Sequence, residues 1–172
     1  MVGMFMFQGV CRRSKLVLAT IFVSVSLVVI SCSPEAEKGS AMTITTERSF
    51  NFSPEQVFDA WVSEETVVPP VSRIEKEVRV GGHYRLFVET PEYTGVMLAE
   101  YKEIVPNEKL VYTWEWNNDG EETVVTVNFL AEGDGCKVSL AHGEFQKQES
   151  FDRHSFGWGN YFDGLEKKLG GG

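Results

Sequence analysis

Three histidines, three cysteines and one alternating run of aromatic rings are the groups in this chain whose types suit chemistry or ligand capture. A catalytic zinc needs about three ligands converging at close range, commonly with recognisable spacing. His83, His142 and His154 fall on two expected strands and a helix without such spacing, so no metal is expected. The chain carries no Gly-x-Ser-x-Gly elbow, phosphate-cradling loop or dinucleotide fingerprint, so no cofactor and no catalytic set is assigned. His142 shares a strand face with Cys136, Val138 and Leu140 and therefore points inward, as a hydrogen-bonded core histidine or a general acid–base. The pairs Glu64-Glu65 and Glu121-Glu122 sit at expected element ends and read as solvated surface.

The rings are more specific. In KLVYTWEWNN, residues 109–118, strand periodicity puts Leu110, Tyr112, Trp114 and Trp116 on one side. Inner strand faces are usually filled by Val, Ile and Leu, so three consecutive large aromatics require an unusual neighbour. They are expected to pack on a covering helix and to bound a cavity for an apolar or aromatic small molecule. Tyr and Trp suit that task, offering rigid surface with a polar handle.

The elements that position them follow from pattern. Residues 42–50 alternate and are Thr-rich, which predicts a first strand. Ser53-Pro54-Glu55 opens a helix with Val57, Phe58, Trp61 and Val62 on one face, and Pro69-Pro70 ends a second short helix. Strands are predicted near 71–79, 83–90, 94–105, 109–117, 122–130 and 136–143, with Gly, Pro and Asn turns between them. Phe151, Ser155, Trp158, Phe162, Leu165 and Leu169 then form a helical stripe, with Ser150 as N-cap. Gly157, Gly159 and Gly164 each cost roughly 1 kcal/mol against Ala inside that helix. They point to a close approach, by the sheet or by a ligand. The predicted class is α+β, a curved antiparallel sheet of six to seven strands around a long C-terminal helix.

The first 32 residues differ in kind. No acid precedes Glu35, and Arg12, Arg13 and Lys15 lead into fifteen residues of apolar run, 16–30. That run is short for a membrane span of roughly twenty residues and fits a secretory signal, with an uncleaved anchor helix or a buried helix as alternatives. The ending Val29-Ile30-Ser31-Cys32 resembles a bacterial lipobox. The resemblance implies lipid on the Cys32 sulfur and cleavage before it, anchoring the domain to a membrane of the cell envelope, outside the cytoplasm. The expected division is a signal at 1–31, a tether at 32–41, a folded domain at 42–169 and a tail at 170–172. Loss of the signal takes three positive charges and no negative ones, shifting the net charge from −9 to −12. Either value argues against a nucleic-acid partner. Cys11 leaves with the signal and Cys32 takes lipid, so Cys136 stands alone as a small apolar filler with no disulfide partner.

From Ile44 to Leu169 the chain resembles the SRPBCC, or START-like, helix-grip superfamily, and within it the homologues of the heat-shock-protein-90 ATPase activator. Phe58-Asp59-Ala60-Trp61, Glu77 to Tyr84, Pro106 to Trp114, Leu140-Ala141-His142-Gly143 and Gly157-Trp158 carry the likeness, in order and at the usual spacing. Relatives commonly place tryptophan after the first helix, where this chain has Glu65 to Pro70, and Asp where it has Glu77. A lipoprotein signal is also uncommon on this family. The resemblance implies a cavity between sheet and closing helix, with Trp61, Tyr84, Leu86, Tyr112, Trp114, Trp116, His142, Trp158 and Phe162 facing it. Three functions follow as expectations: a module binding a small hydrophobic ligand, a protein-interaction module, or a cavity enzyme of cyclase or hydrolase type. No particular protein partner is indicated, and a signal peptide would keep the domain from a cytosolic, ATP-fed chaperone.

Overall fold

The structure is a computed structural model that describes residues 41–171. The expected signal, Cys32 and the tether up to residue 40 lie outside the described residues. Seven strands are present: β1 (Met42–Phe50), β2 (Val71–Lys76), β3 (His83–Glu89), β4 (Thr94–Val105), β5 (Lys109–Trp116), β6 (Thr123–Glu132) and β7 (Gly135–Phe145). They form one antiparallel sheet in the order β1-β7-β6-β5-β4-β3-β2. Consecutive strands from β2 to β7 are hairpin neighbours, and β1 closes the far edge against β7. The tight turns use residues that tolerate a left-handed backbone: Asn107 at φ 65°, Asn117 and Asn118 at 53° and 52°, and Gly133 at 60°.

Two helices cover the inner face. Helix α1 (Pro54–Val62) starts at a full capping box: the Ser53 hydroxyl accepts from the Gln56 N–H at 3.3 Å, and Gln56 Oε1 accepts from the Ser53 N–H at 2.9 Å. Its Val57, Phe58 and Trp61 are buried. Helix α2 (Gln148–Leu169) packs on β1, β7 and α1 and buries Trp158, Phe162 and Leu165. An Arg48–Asp163 ion pair at 2.9 Å ties its outer side to β1. No helix among the described residues is long and apolar enough to cross a membrane.

Three local expectations are corrected. Residues 63–70 form turns and not a second short helix; the Ser63 hydroxyl accepts from the Glu65 N–H at 3.1 Å, which favours a tight turn over a helical one. Helix α2 begins at Gln148 with Lys147 at the N-cap, and Ser150 lies buried in its first turn. Glu121 is not solvated surface. It is 7% exposed, and its Oε1 accepts from the N–H groups of both Gln146 and Lys147 at 2.8 Å. Burial alone would push its carboxyl up, but these donors, the Ser150 hydroxyl and the nearby Lys147 together hold it below the usual range. A carboxylate from the β5–β6 turn therefore organises the entry into α2.

A cavity walled by rings

A cavity of about 600 Å³ opens between the inner face of β3 and β5 and one side of α2. Its closed part is built by alternation on two strands: Tyr84, Leu86 and Val88 from β3, then Tyr112, Trp114 and Trp116 from β5. From α2 come His154, Trp158 and Tyr161, which stand at steps of three and four on one helical face. The rim is exposed and mixed, with Pro69, Pro70, Tyr93, Asn117, Asp119, Arg153 and Asn160, and Asn117 donates to the Tyr93 hydroxyl at 3.1 Å.

Two tryptophans are fixed by imidazoles across the interface between sheet and helix. The His154 Nδ1 lies 2.7 Å from the Ser150 carbonyl, which only accepts, so Nδ1 carries the proton. The Nε2 lone pair then takes the Trp116 indole N–H at 3.1 Å. At His142 the tautomer is reversed. The Thr123 hydroxyl donates to the Trp114 carbonyl at 2.9 Å, so it accepts from His142 Nε2–H at 2.8 Å. His142 Nδ1 accepts from the Trp158 indole N–H at 3.1 Å. Both rings are neutral in this arrangement. Burial, helped by the nearby His154, pushes His142 down to about 3, and burial likewise lowers His154.

Of the residues expected at a ligand site, Tyr84, Leu86, Tyr112, Trp114, Trp116 and Trp158 line the cavity. Trp61, His142 and Phe162 lie behind its wall. Trp61 stacks on Trp158 with centroids 6.3 Å apart, Phe162 packs edge-on against Phe50, and His142 anchors the Trp158 indole. Their inward direction was readable, but the first layer in front of them is supplied by other rings. His154 and Tyr161 were missed although helical spacing from Trp158 places them on its face. Val68 to Val71 and Tyr93 carry no periodic signal, since turns position them.

The glycines divide. A Cβ on Gly164 would collide with the Val68 side chain, which is close packing by protein. A Cβ on Gly157 would meet nothing, and Gly157 borders the cavity, so its lack of a side chain keeps the opening wide. Gly159 also faces open space, away from the cavity lining.

The cavity interior offers rings, phenol hydroxyls and neutral imidazole, which suit holding a molecule. The Tyr84, Tyr112 and Tyr161 phenols are raised well above their ordinary value, chiefly by burial, and remain neutral. Cys136 is fully buried and its thiol is pushed up by burial, which makes it a poor nucleophile. Among the described residues, no three His, Cys, Asp or Glu side chains gather where they could hold a metal.

Known proteins share this architecture. Protein CV1439 from Chromobacterium violaceum is 20% identical with a TM-score of 0.64, over 74% of this chain and 96% of that one. SA2116 from Staphylococcus aureus, described as a protein of unknown function, is 20% identical with a TM-score of 0.65, over 76% and 94%. Ara h 8.0201 is 15% identical with a TM-score of 0.65, over 77% and 100%. At these identities the likeness concerns the fold, the helix-grip arrangement of curved sheet and long terminal helix. No curated protein matches the chain in sequence. The family model described as "Activator of Hsp90 ATPase homolog 1-like protein" matches residues 51–170, from the turn before α1 to the end of α2, and the chain belongs to that family of the SRPBCC helix-grip superfamily.

Proposed function

We propose that this chain is a binding module that holds a small, largely apolar, ring-bearing molecule in the cavity between sheet and α2, on a domain lipid-anchored through Cys32. The observation that carries the proposal is a cavity of about 600 Å³ that opens from the surface onto the buried aromatic core. Small-molecule sites fall at roughly 300–1,000 Å³ and combine apolar walls with few polar groups. A core built only for stability would fill such a space, because interiors pack about as densely as organic crystals. The anchor rests on the basic and apolar run before Cys32. Native mass spectrometry of the purified protein should show a co-purified small molecule. N-phenyl-1-naphthylamine should bind and take energy from Trp114, Trp116 and Trp158. No binding at high micromolar probe would sink the proposal and favour an interaction module, for which Phe156, 75% exposed on α2, is the most exposed large apolar side chain among the described residues.

A further inference from the structure

The closed part of the cavity contains donors that no described residue engages. Tyr84 is 3% exposed and Tyr112 is 1% exposed, and both border the cavity. Their rings meet edge to face with centroids 5.6 Å apart, so two strands bring two phenols to one place. Tyr161 reaches the same region from α2, its ring 4.8 Å from Trp61. The phenols are near neighbours, and ionising one would be opposed by the next: Tyr161 helps raise Tyr112, and Tyr112 helps raise Tyr84. Hydrogen bonds within the described residues satisfy the Trp116 and Trp158 indoles and the Tyr93 hydroxyl, but none engages the hydroxyl protons of Tyr84, Tyr112 or Tyr161. Trp61's indole lies near the Tyr112 oxygen, but an indole N–H only donates, so the Tyr112 proton still lacks an acceptor.

Tyr84 and Tyr112 are 3% and 1% exposed, and the open space that both residues border is the cavity. Buried hydroxyls are almost always paired, so donors left free on a cavity wall imply an acceptor that arrives with the occupant. The acceptor must be uncharged. No cation lines the closed part: Lys76 Nζ lies 4.5 Å from the Tyr84 ring but donates to the Trp61 and Ser63 carbonyls, Arg153 stays at the rim on Glu149 at 3.2 Å, and a lone buried anion would be strongly disfavoured.

Resting on the binding-module reading above, we infer that the ligand is a neutral ring compound carrying an oxygen acceptor, such as a carbonyl, on its inward end, where Tyr84, Tyr112 and Tyr161 donate to it. Its apolar body lies against Trp114, Trp116 and Trp158, and any charged group stays at the rim.

The test uses two probes of nearly the same shape, 9-fluorenone with a carbonyl and fluorene without one, titrated against the full chain. Tyr84→Phe and Tyr112→Phe remove one hydroxyl each and leave the rings in place. Each change should reduce the fluorenone-to-fluorene affinity ratio about three- to tenfold, the range for one neutral hydrogen bond, with fluorene affinity unchanged. The parent protein supplies a second measure that needs no variant. The carbonyl stretch of bound fluorenone should lie at lower wavenumber than in hexane. If both probes bind, the ratio ignores both substitutions and the stretch matches hexane, the acceptor inference is overturned while the binding module stands. If neither probe binds, both fall together.

Discussion

Acid should unfold this domain early, and His142 sets the size of the effect. The ring is fully buried, donates through Nε2 to Thr123 and accepts from Trp158 at Nδ1, so a second proton has no place to go. Its folded value of about 3 lies below the ordinary 6.5. A base depressed on folding stabilises fully above its unfolded value and loses that contribution as pH falls from 6.5 towards 3, because only the unfolded chain takes the proton. At pH 5 the unfolded state has gained about 2 kcal/mol relative to pH 7, and near pH 3 the loss reaches about 4 kcal/mol. His154 shifts the same way and adds to it. Urea melts followed by tryptophan emission at pH 7 and pH 5 measure the difference. His142→Gln, which keeps a donor and an acceptor, should be less stable than the parent at pH 7 but lose less on acidification. If the parent's stability differs by under about 0.5 kcal/mol between the two pH values, His142 is not locked neutral and the two-tautomer network is wrong.

Gly157→Leu should cut probe affinity at least tenfold while stability holds or rises, since Gly costs up to about 1 kcal/mol in a helix and nothing opposes the new side chain there. Equal probe binding by this variant would move the entrance elsewhere. Gly164→Ala should do the reverse, losing about 1–3 kcal/mol in a thermal melt through the clash with Val68. Glu121→Ala should cost about 1–3 kcal/mol, by leaving the Gln146 and Lys147 N–H groups without their charged acceptor. Its carboxyl is depressed on folding, so that stabilisation is present above the usual carboxylate range and disappears as pH falls through the lowered value; a parent-minus-variant difference that is flat with pH would contradict this. Cys32→Ala should abolish incorporation of a labelled fatty acid and leave an unprocessed precursor, whereas labelling that persists would end the lipid-anchor proposal.

The elements that can be read from sequence are those whose own residues decide them. Strand β4 runs from Thr94 to Val105 and β1 from Met42 to Phe50, as alternation and turn residues indicate, and Ser53-Pro54 announces α1 without help from the rest of the fold. The misread features depend on distant partners. Nothing local to Glu121 says that its carboxylate will cap a helix that starts at Gln148. Ser150 has the right type for an N-cap, yet the entry to α2 is organised earlier by that carboxylate, and Ser150 turns inward. The second short helix failed because residues 63–70 end in Pro69-Pro70, and the preceding Ser63 turn leaves too few residues for a stable helix. At the cavity, strand alternation picked out the β3 and β5 walls. Trp61, His142 and Phe162 face the same interior one layer back, a difference of depth that periodicity does not encode.

The aromatic run on β5 has a reason that aliphatic residues could not supply. Trp116 on β5 reaches His154 on α2, and Trp158 on α2 reaches His142 on β7, so each layer donates one indole to the other. The two bonds cross the gap in opposite directions and hold sheet and helix at a distance set by the length of an indole plus an imidazole. Leu or Val at positions 116 and 158 would have no polar end to hold at that distance, and the helix would settle onto the sheet until the space was filled. Trp114 stands between the two pairs, 5.6 Å from the His142 ring and 5.8 Å from the His154 ring by centroid, and props the span without a hydrogen bond of its own. The open volume and the acid sensitivity therefore share a cause. Neutral imidazoles serve as the acceptors for both struts, and protonating either one would remove the lone pair that its tryptophan uses.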